Sequence, residues 1–184
     1  MNYLNYNRYE QKSEQNANTN LDQDLTNSRQ QKYAKSEPEI KQWIFNVLSI
    51  PQLTIDVYAS RSLDLMDILR DGELLCKLGN LLEISNNPCS KYKSSKMPFM
   101  QMENISFFLK ACEIIGISHD EIFQTIDLYE RKDPYQIIIT LISFSRRANE
   151  INSTKFPNVI GPKIVKVKPT VPKKPINLST KQLV

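Results

Sequence analysis

Asp71-Gly-Glu-Leu-Leu-Cys-Lys-Leu-Gly-Asn-Leu-Leu82 is the stretch on which the fold turns. Its leucines fall at 74, 75, 78, 81 and 82, the spacing of one apolar stripe along an α-helix. Asp71-Gly72 ahead of them is a helix start, in which a short polar side chain can take up a free backbone amide. A strand would need strict alternation of apolar and polar residues, and this stretch has none.

The same period recurs on both sides. Ile40, Trp43, Ile44, Val47 and Leu48 form an upstream stripe, and Ser36-Glu-Pro-Glu39 before it reads as a capping box with proline in the first turn. Ile105, Phe108, Leu109, Cys112 and Ile115 form a downstream stripe stopped by Gly116. Ser118-His-Asp-Glu121 reads as the cap of a helix carrying Ile122, Phe123 and Ile126. Asp133-Pro134 starts a last helix with Ile137, Ile138, Leu141 and Ile142 inward and Arg146 and Arg147 near its C-terminal end. Shorter helices are expected at 21–31 and 63–70. Period-2 alternation is present only weakly, at 53–58. The expected class is all-α.

The chain has 184 residues and a net charge of +4, unevenly spread. Residues 1–20 balance to zero and hold six Asn and two Gln; too little apolar area is available there to offset ordering, so disorder is expected. Residues 151–184 carry Lys155, Lys163, Lys166, Lys168, Lys173, Lys174 and Lys181 with no acid, a charge of +7. Five of the ten prolines lie there too, favouring an extended tail. The body, 21–150, is therefore −3. The expected organisation is an Asn-rich N-terminus over 1–20, one helical domain over 21–150, and a basic Pro/Lys-rich tail over 151–184.

Several chemistries are excluded. No run approaches the ~18 apolar residues of a membrane span, and the N-terminus has no signal-peptide pattern. None of the four glycines forms a nucleotide-binding loop. Cys76, Cys89 and Cys112 are unevenly spaced without CxxC, which argues against a disulfide framework or zinc and for a reducing compartment. Cys76 and Cys112 read as buried, whereas Cys89 in Asn-Pro-Cys-Ser reads as exposed and as the one reactive candidate. His119 reads as a surface residue. Asp22/Asp24, Asp64/Asp67/Asp71 and Asp127/Glu130/Asp133 lack calcium-loop spacing. Met97, Met100 and Met102 around Phe99 could form a sticky groove, and read first as filling of an irregular part of the core. No catalytic residue, cofactor site or metal site is expected, and the chain reads as a binding protein rather than an enzyme. The tail's charge points to an acidic protein surface ahead of nucleic acid, because Phe156 is its one aromatic for stacking.

Taken in order, four segments resemble the calponin-homology domain. These are Ile40-Lys-Gln-Trp-Ile44; Leu69-Arg-Asp-Gly-Glu-Leu-Leu-Cys-Lys-Leu-Gly-Asn80; Lys93-Ser-Ser-Lys-Met-Pro-Phe-Met-Gln-Met-Glu-Asn-Ile-Ser-Phe-Phe-Leu109; and Phe123-Gln-Thr-Ile-Asp-Leu-Tyr-Glu-Arg-Lys-Asp-Pro134. Leu21-Asp-Gln-Asp-Leu25 and Lys32-Tyr33 are similar to the lead-in helix of the calponin/transgelin branch, as in small single-domain fungal transgelins. The resemblance covers about residues 21–162. It implies a single compact helical domain and binding of actin filaments, with stabilising, bundling or crosslinking and organisation of the cortical actin cytoskeleton. The C-terminal repeat of that branch is not found here, which bears on crosslinking more than on binding.

The expected filament contacts are Lys155, Lys163, Lys166, Lys168, Lys173 and Lys174, with Lys93 and Lys96 as contacts on charge grounds alone. A second expectation is a signalling or cytoskeletal adaptor. Lys166-Val-Lys-Pro169-Thr-Val-Pro172 and Pro169-Thr-Val-Pro172-Lys-Lys174 both fit SH3-ligand patterns, through Lys166, Pro169, Pro172 and Lys174. The expected partners are F-actin and SH3 proteins, with no nucleic acid and no membrane insertion, for a monomer of the cytoplasmic, cortical actin cytoskeleton.

Overall fold

In the computed structural model the described backbone runs over residues 6–161, with side chains described from Asn20 onward. The described residues form seven α-helices: α1 (Tyr6–Val47), α2 (Gln52–Ser60), α3 (Leu65–Leu69), α4 (Glu73–Asn80), α5 (Pro98–Ile114), α6 (Thr125–Tyr129) and α7 (Pro134–Ile151). Short 3-10 turns lie at Pro88–Lys91 and His119–Glu121, and the described residues include no strand. The all-α expectation holds.

Helix α4 starts as its sequence dictates. Asp71 accepts the Glu73 amide at 2.9 Å, and Gly72 turns the chain with φ of 72°. A side chain at 72 would be strained twice over, since its Cβ would lie 2.7 Å from both Asn104 Cβ and the Ile105 nitrogen. Leu74, Leu75, Cys76 and Leu78 are buried. Gly79 lets the turn at Pro88–Lys91 close onto α4, because a Cβ there would meet Cys89 Sγ at 2.3 Å.

An aromatic chain forms the centre of the core. Phe123 stacks on Phe108, Phe108 packs on Phe144 with ring centres 5.1 Å apart, and Phe144 meets Trp43 and Phe156 edge-on. Thr140, buried on α7, accepts the Phe123 amide at 3.0 Å and donates to the Glu121 carbonyl at 2.6 Å. It thereby ties the segment before α6 to the last helix.

Several boundaries differ from expectation. Ser36-Glu-Pro-Glu39 does not start a helix, because α1 runs through it with Pro38 inside. A proline in a helix interior removes one hydrogen bond, and the next turns are held by burial of Ile40, Trp43 and Ile44. Glu37 serves α3 instead, accepting the Leu65 amide at 2.8 Å. Residues 53–58 are helical within α2. Ser118 makes no backbone cap; α6 starts at Thr125, with Gln124 accepting from the Asp127 amide. The α1 backbone begins at Tyr6, ahead of the expected start at Leu21, and residues 1–19 have no described side chains.

Asp133 caps α7 as expected, accepting the Gln136 amide at 3.1 Å, and it also pairs with Arg29 of α1. Asp133→Ala is expected to lower stability by ~0.5–2 kcal/mol through the lost cap, measured by urea unfolding. The filament binding expected from the resemblance should change only in proportion to the unfolded fraction. Unchanged stability with lost binding would make Asp133 a contact.

Candidate functional site

The packed unit does not end with α7. Residues 152–161 return across the core as a strap, with Phe156 and Ile160 buried. Phe156 stacks on Trp43 with ring centres 6.2 Å apart. The Trp43 indole N–H donates to the Asn158 carbonyl at 2.8 Å, and Asn149 donates to the Phe156 carbonyl at 2.7 Å. The Ile160 amide donates to Ser145 at 3.2 Å, which closes the far end. Phe156 is therefore a core residue, unavailable for base stacking, and the change from packed core to basic segment falls about ten residues later than the expected 150/151 boundary.

This strap fixes where the basic segment leaves the domain. Gly161 shares a surface recess with Lys32, Lys35, Ser36, Glu39 and Tyr135, between α1 and α7. Lys32 and Lys35 are exposed, and Arg29 and Lys32 both lie over the Tyr135 ring, at 5.6 and 5.7 Å from its centre. The exit is thus already basic before the tail lysines begin. Of the expected filament contacts, Lys155 is exposed on the strap. Lys163, Lys166, Lys168, Lys173 and Lys174 lie outside the described residues, as do Pro169 and Pro172.

A second basic surface surrounds the start of α5. Lys91, Lys93 and Lys96 are exposed, and so are Met97 and Phe99. The core-filling reading fails for those last two side chains, since the inward face of α5 is taken by Ile105, Phe108 and Cys112. The loop is clamped from below by Asn104, which is fully buried. Its amide donates to the Asp71 carbonyl at 3.0 Å and the Lys93 carbonyl at 2.9 Å, and its oxygen accepts the Lys93 amide at 3.1 Å. The sequence left the exposure of Met97 and Phe99 as the second of two readings. Asn104 was hidden, because a lone polar residue in an apolar helix gives no local sign of its partners.

The expected reactive cysteine is buried. Asn87 accepts the Cys89 amide at 3.0 Å and starts the turn that drives Cys89 against Gly79, so its thiol is closed to solvent. Cys76 is held above the ordinary thiol range by hydrogen bonding with Cys89 and by burial, and Cys112 by burial. His119 is exposed, as expected. Among the described residues no group of three or more His, Cys, Asp or Glu is arranged to hold a metal ion. What the geometry offers is surface, and both surfaces are basic.

The family model for the calponin homology (CH) domain matches residues 34–150. The chain belongs to the calponin-homology family. Among curated relatives, a transgelin of Saccharomyces cerevisiae is 40% identical over 160 residues, covering 85% of this chain and 76% of that protein. A transgelin of Schizosaccharomyces pombe is 35% identical over 136 residues, covering 73% and 72%. The Rac guanine nucleotide exchange factor B of Dictyostelium discoideum is 31% identical over 154 residues, which is 83% of this chain but only 12% of that protein. The calponin-homology match stops before the strap, so Phe156 and Ile160 complete the packing of the family's domain from outside the matched segment.

Proposed function

We propose that this chain is a non-enzymatic actin-filament-binding protein of the cell cortex that stabilises, bundles or crosslinks filaments through its basic C-terminal segment. The observation that carries the reading is the charge division on a calponin-homology domain. A body of −3 would be repelled by an acidic filament, whereas residues 162–184 carry six lysines and no acid. They leave the domain at Gly161, beside exposed Lys32 and Lys35. Each exposed lysine contact is worth ~0.2–1 kcal/mol, so several must act together. Such contacts are screened over ~10 Å at 0.1 M salt, and ordering an extended segment costs free energy that keeps the complex reversible.

The test is co-sedimentation with filaments across a salt series. Full-length protein should pellet at low salt and release as salt rises. A chain ending at Gly161, which retains Phe156 and Ile160, should lose most of that binding, as should full-length protein with Lys163, Lys166, Lys168, Lys173 and Lys174 changed to Gln. Equal binding of all three without salt dependence would move the contact to the folded domain.

The adaptor reading is favoured by the overlapping proline patterns at 166–174. A labelled 163–176 peptide is expected to bind a cytoskeletal SH3 domain with Kd around micromolar, ~8 kcal/mol. Pro172→Ala should weaken it, and unchanged affinity across an SH3 panel would make the pattern accidental.

A further inference from the structure

The loop before α5 combines features that core packing does not use, and the filament expectation drew only on the charge of Lys93 and Lys96 among them. Between Glu83 and Glu103 the chain has no acidic residue, while Lys91, Lys93 and Lys96 are all exposed. Where the loop passes into α5, Met97 is 65% and Phe99 69% exposed. Large apolar side chains left this open beside three exposed lysines are a mark of an interaction surface. The loop is also built rather than slack. Asn104 holds both backbone groups of Lys93, Ser95 accepts the Met97 amide at 3.1 Å, and Gln101 donates to the Ser95 carbonyl at 3.2 Å. Helix α5 adds the positive end of its dipole at Pro98, with no acidic residue in its first turn to offset it.

We propose that the loop carrying Lys91, Lys93, Lys96, Met97 and Phe99 docks on an anionic lipid bilayer. The chemistry matches layer for layer. Lysines are attracted to an anionic headgroup surface, and two projecting apolar side chains fit the boundary just beneath it, where headgroups give way to acyl chains. A uniformly acidic protein surface would satisfy the lysines alone, whereas a bilayer sets an apolar layer directly beneath its anionic groups and so suits Phe99 and Met97 as well. The contact is peripheral, and no helix among the described residues is long and apolar enough to cross a membrane. It is separate from the exit of the basic segment at Gly161, which is built from α1, α7 and the strap.

The test is sedimentation of the full-length protein with vesicles of phosphatidylcholine, or of phosphatidylcholine mixed with phosphatidylserine, in the absence of filaments. Binding is expected only to the mixed vesicles. Changing Lys91, Lys93 and Lys96 together to Gln should weaken partitioning by roughly fivefold per lysine, about a hundredfold in all. Met97→Ser with Phe99→Ser should weaken it about tenfold, with unfolding midpoints unchanged because all five side chains are exposed. In Phe99→Trp the emission should shift to the blue on mixed vesicles, against the constant signal of buried Trp43. The proposal is overturned if both loop variants bind as wild type does and only the loss of tail lysines matters. It is equally overturned if the loop variants keep vesicle binding and lose filament binding, or if Phe99→Trp shows no shift.

Discussion

Phe156→Ala is expected to lower the free energy of unfolding by ~3–5 kcal/mol, the range for removing a buried Phe. Its ring is fully buried, stacked on Trp43 and edge-on to Phe144 with centres 5.9 Å apart. Truncation would leave a cavity at the junction of α1, α7 and the strap, and that junction also carries the Trp43–Asn158 hydrogen bond. Urea unfolding gives the magnitude. The emission of Trp43, the single tryptophan, reports the place, and should move to the red as the strap loosens. Val159→Ala, on the same strap but 42% exposed, should stay within ~0.5 kcal/mol. A Phe156→Ala protein as stable as wild type would mean that the strap is detached in solution.

Asn104→Ala is expected to cost ~3 kcal/mol or more. It would strip partners from three backbone groups at once, the Asp71 carbonyl and both polar groups of Lys93. Leaving a buried polar group unpaired costs ~1–3 kcal/mol. At about 3 °C per kcal/mol for a domain of this size, the midpoint should fall by roughly 10 °C. The loop it clamps should become sensitive to trypsin at Lys93 and Lys96 in the native state. Asn104→Asp should do no better, because a carboxylate can accept from the Lys93 amide but cannot donate to the two carbonyls. A melting point within a degree of wild type for Asn104→Ala, with the loop still resistant, would show that the network is not what fixes it.

These two residues mark the limit of reading along the chain. The stripes at 40–48, 74–82, 105–115 and 137–142 were legible because a helix repeats its contacts every three or four residues, and the apolar face is written at that spacing. The Asp133 cap and the turn at Gly116, with φ of 78°, were legible for the same reason, each depending only on neighbours within a turn. The capping-box reading at Ser36 failed because α1 runs on through Pro38, its next turns held by the burial of Ile40, Trp43 and Ile44. Glu37 sits 28 positions from the Leu65 amide it accepts, and that partner gives it a use other than starting a helix.

The candidate surfaces were less legible than the fold. The charge of the C-terminal segment is a property of composition, and so was evident at once. Where that segment begins was not, because Phe156 and Ile160 look like isolated apolar residues in a polar, Pro-containing run. Exposure misled in both directions. Cys89 beside Asn87 and Pro88 has the local composition of a surface turn, yet the missing side chain of Gly79 leaves the space that its thiol fills. Met97 and Phe99 have the composition of a core, yet the face of α5 that points inward was already occupied.

The sequence by itself determined the helical class, the order of most helices, the caps at Asp71 and Asp133, and the split between an acidic body and a basic tail. Each of these follows from interactions within a few residues or from charge summed along the chain. Only the tertiary structure decided that the domain closes with a strap, that Asn104 clamps the loop before α5, and which apolar side chains are left facing solvent. Those outcomes depend on pairs such as Trp43 and Asn158, 115 positions apart. Their meeting is set by how the helices pack, and no local period records it.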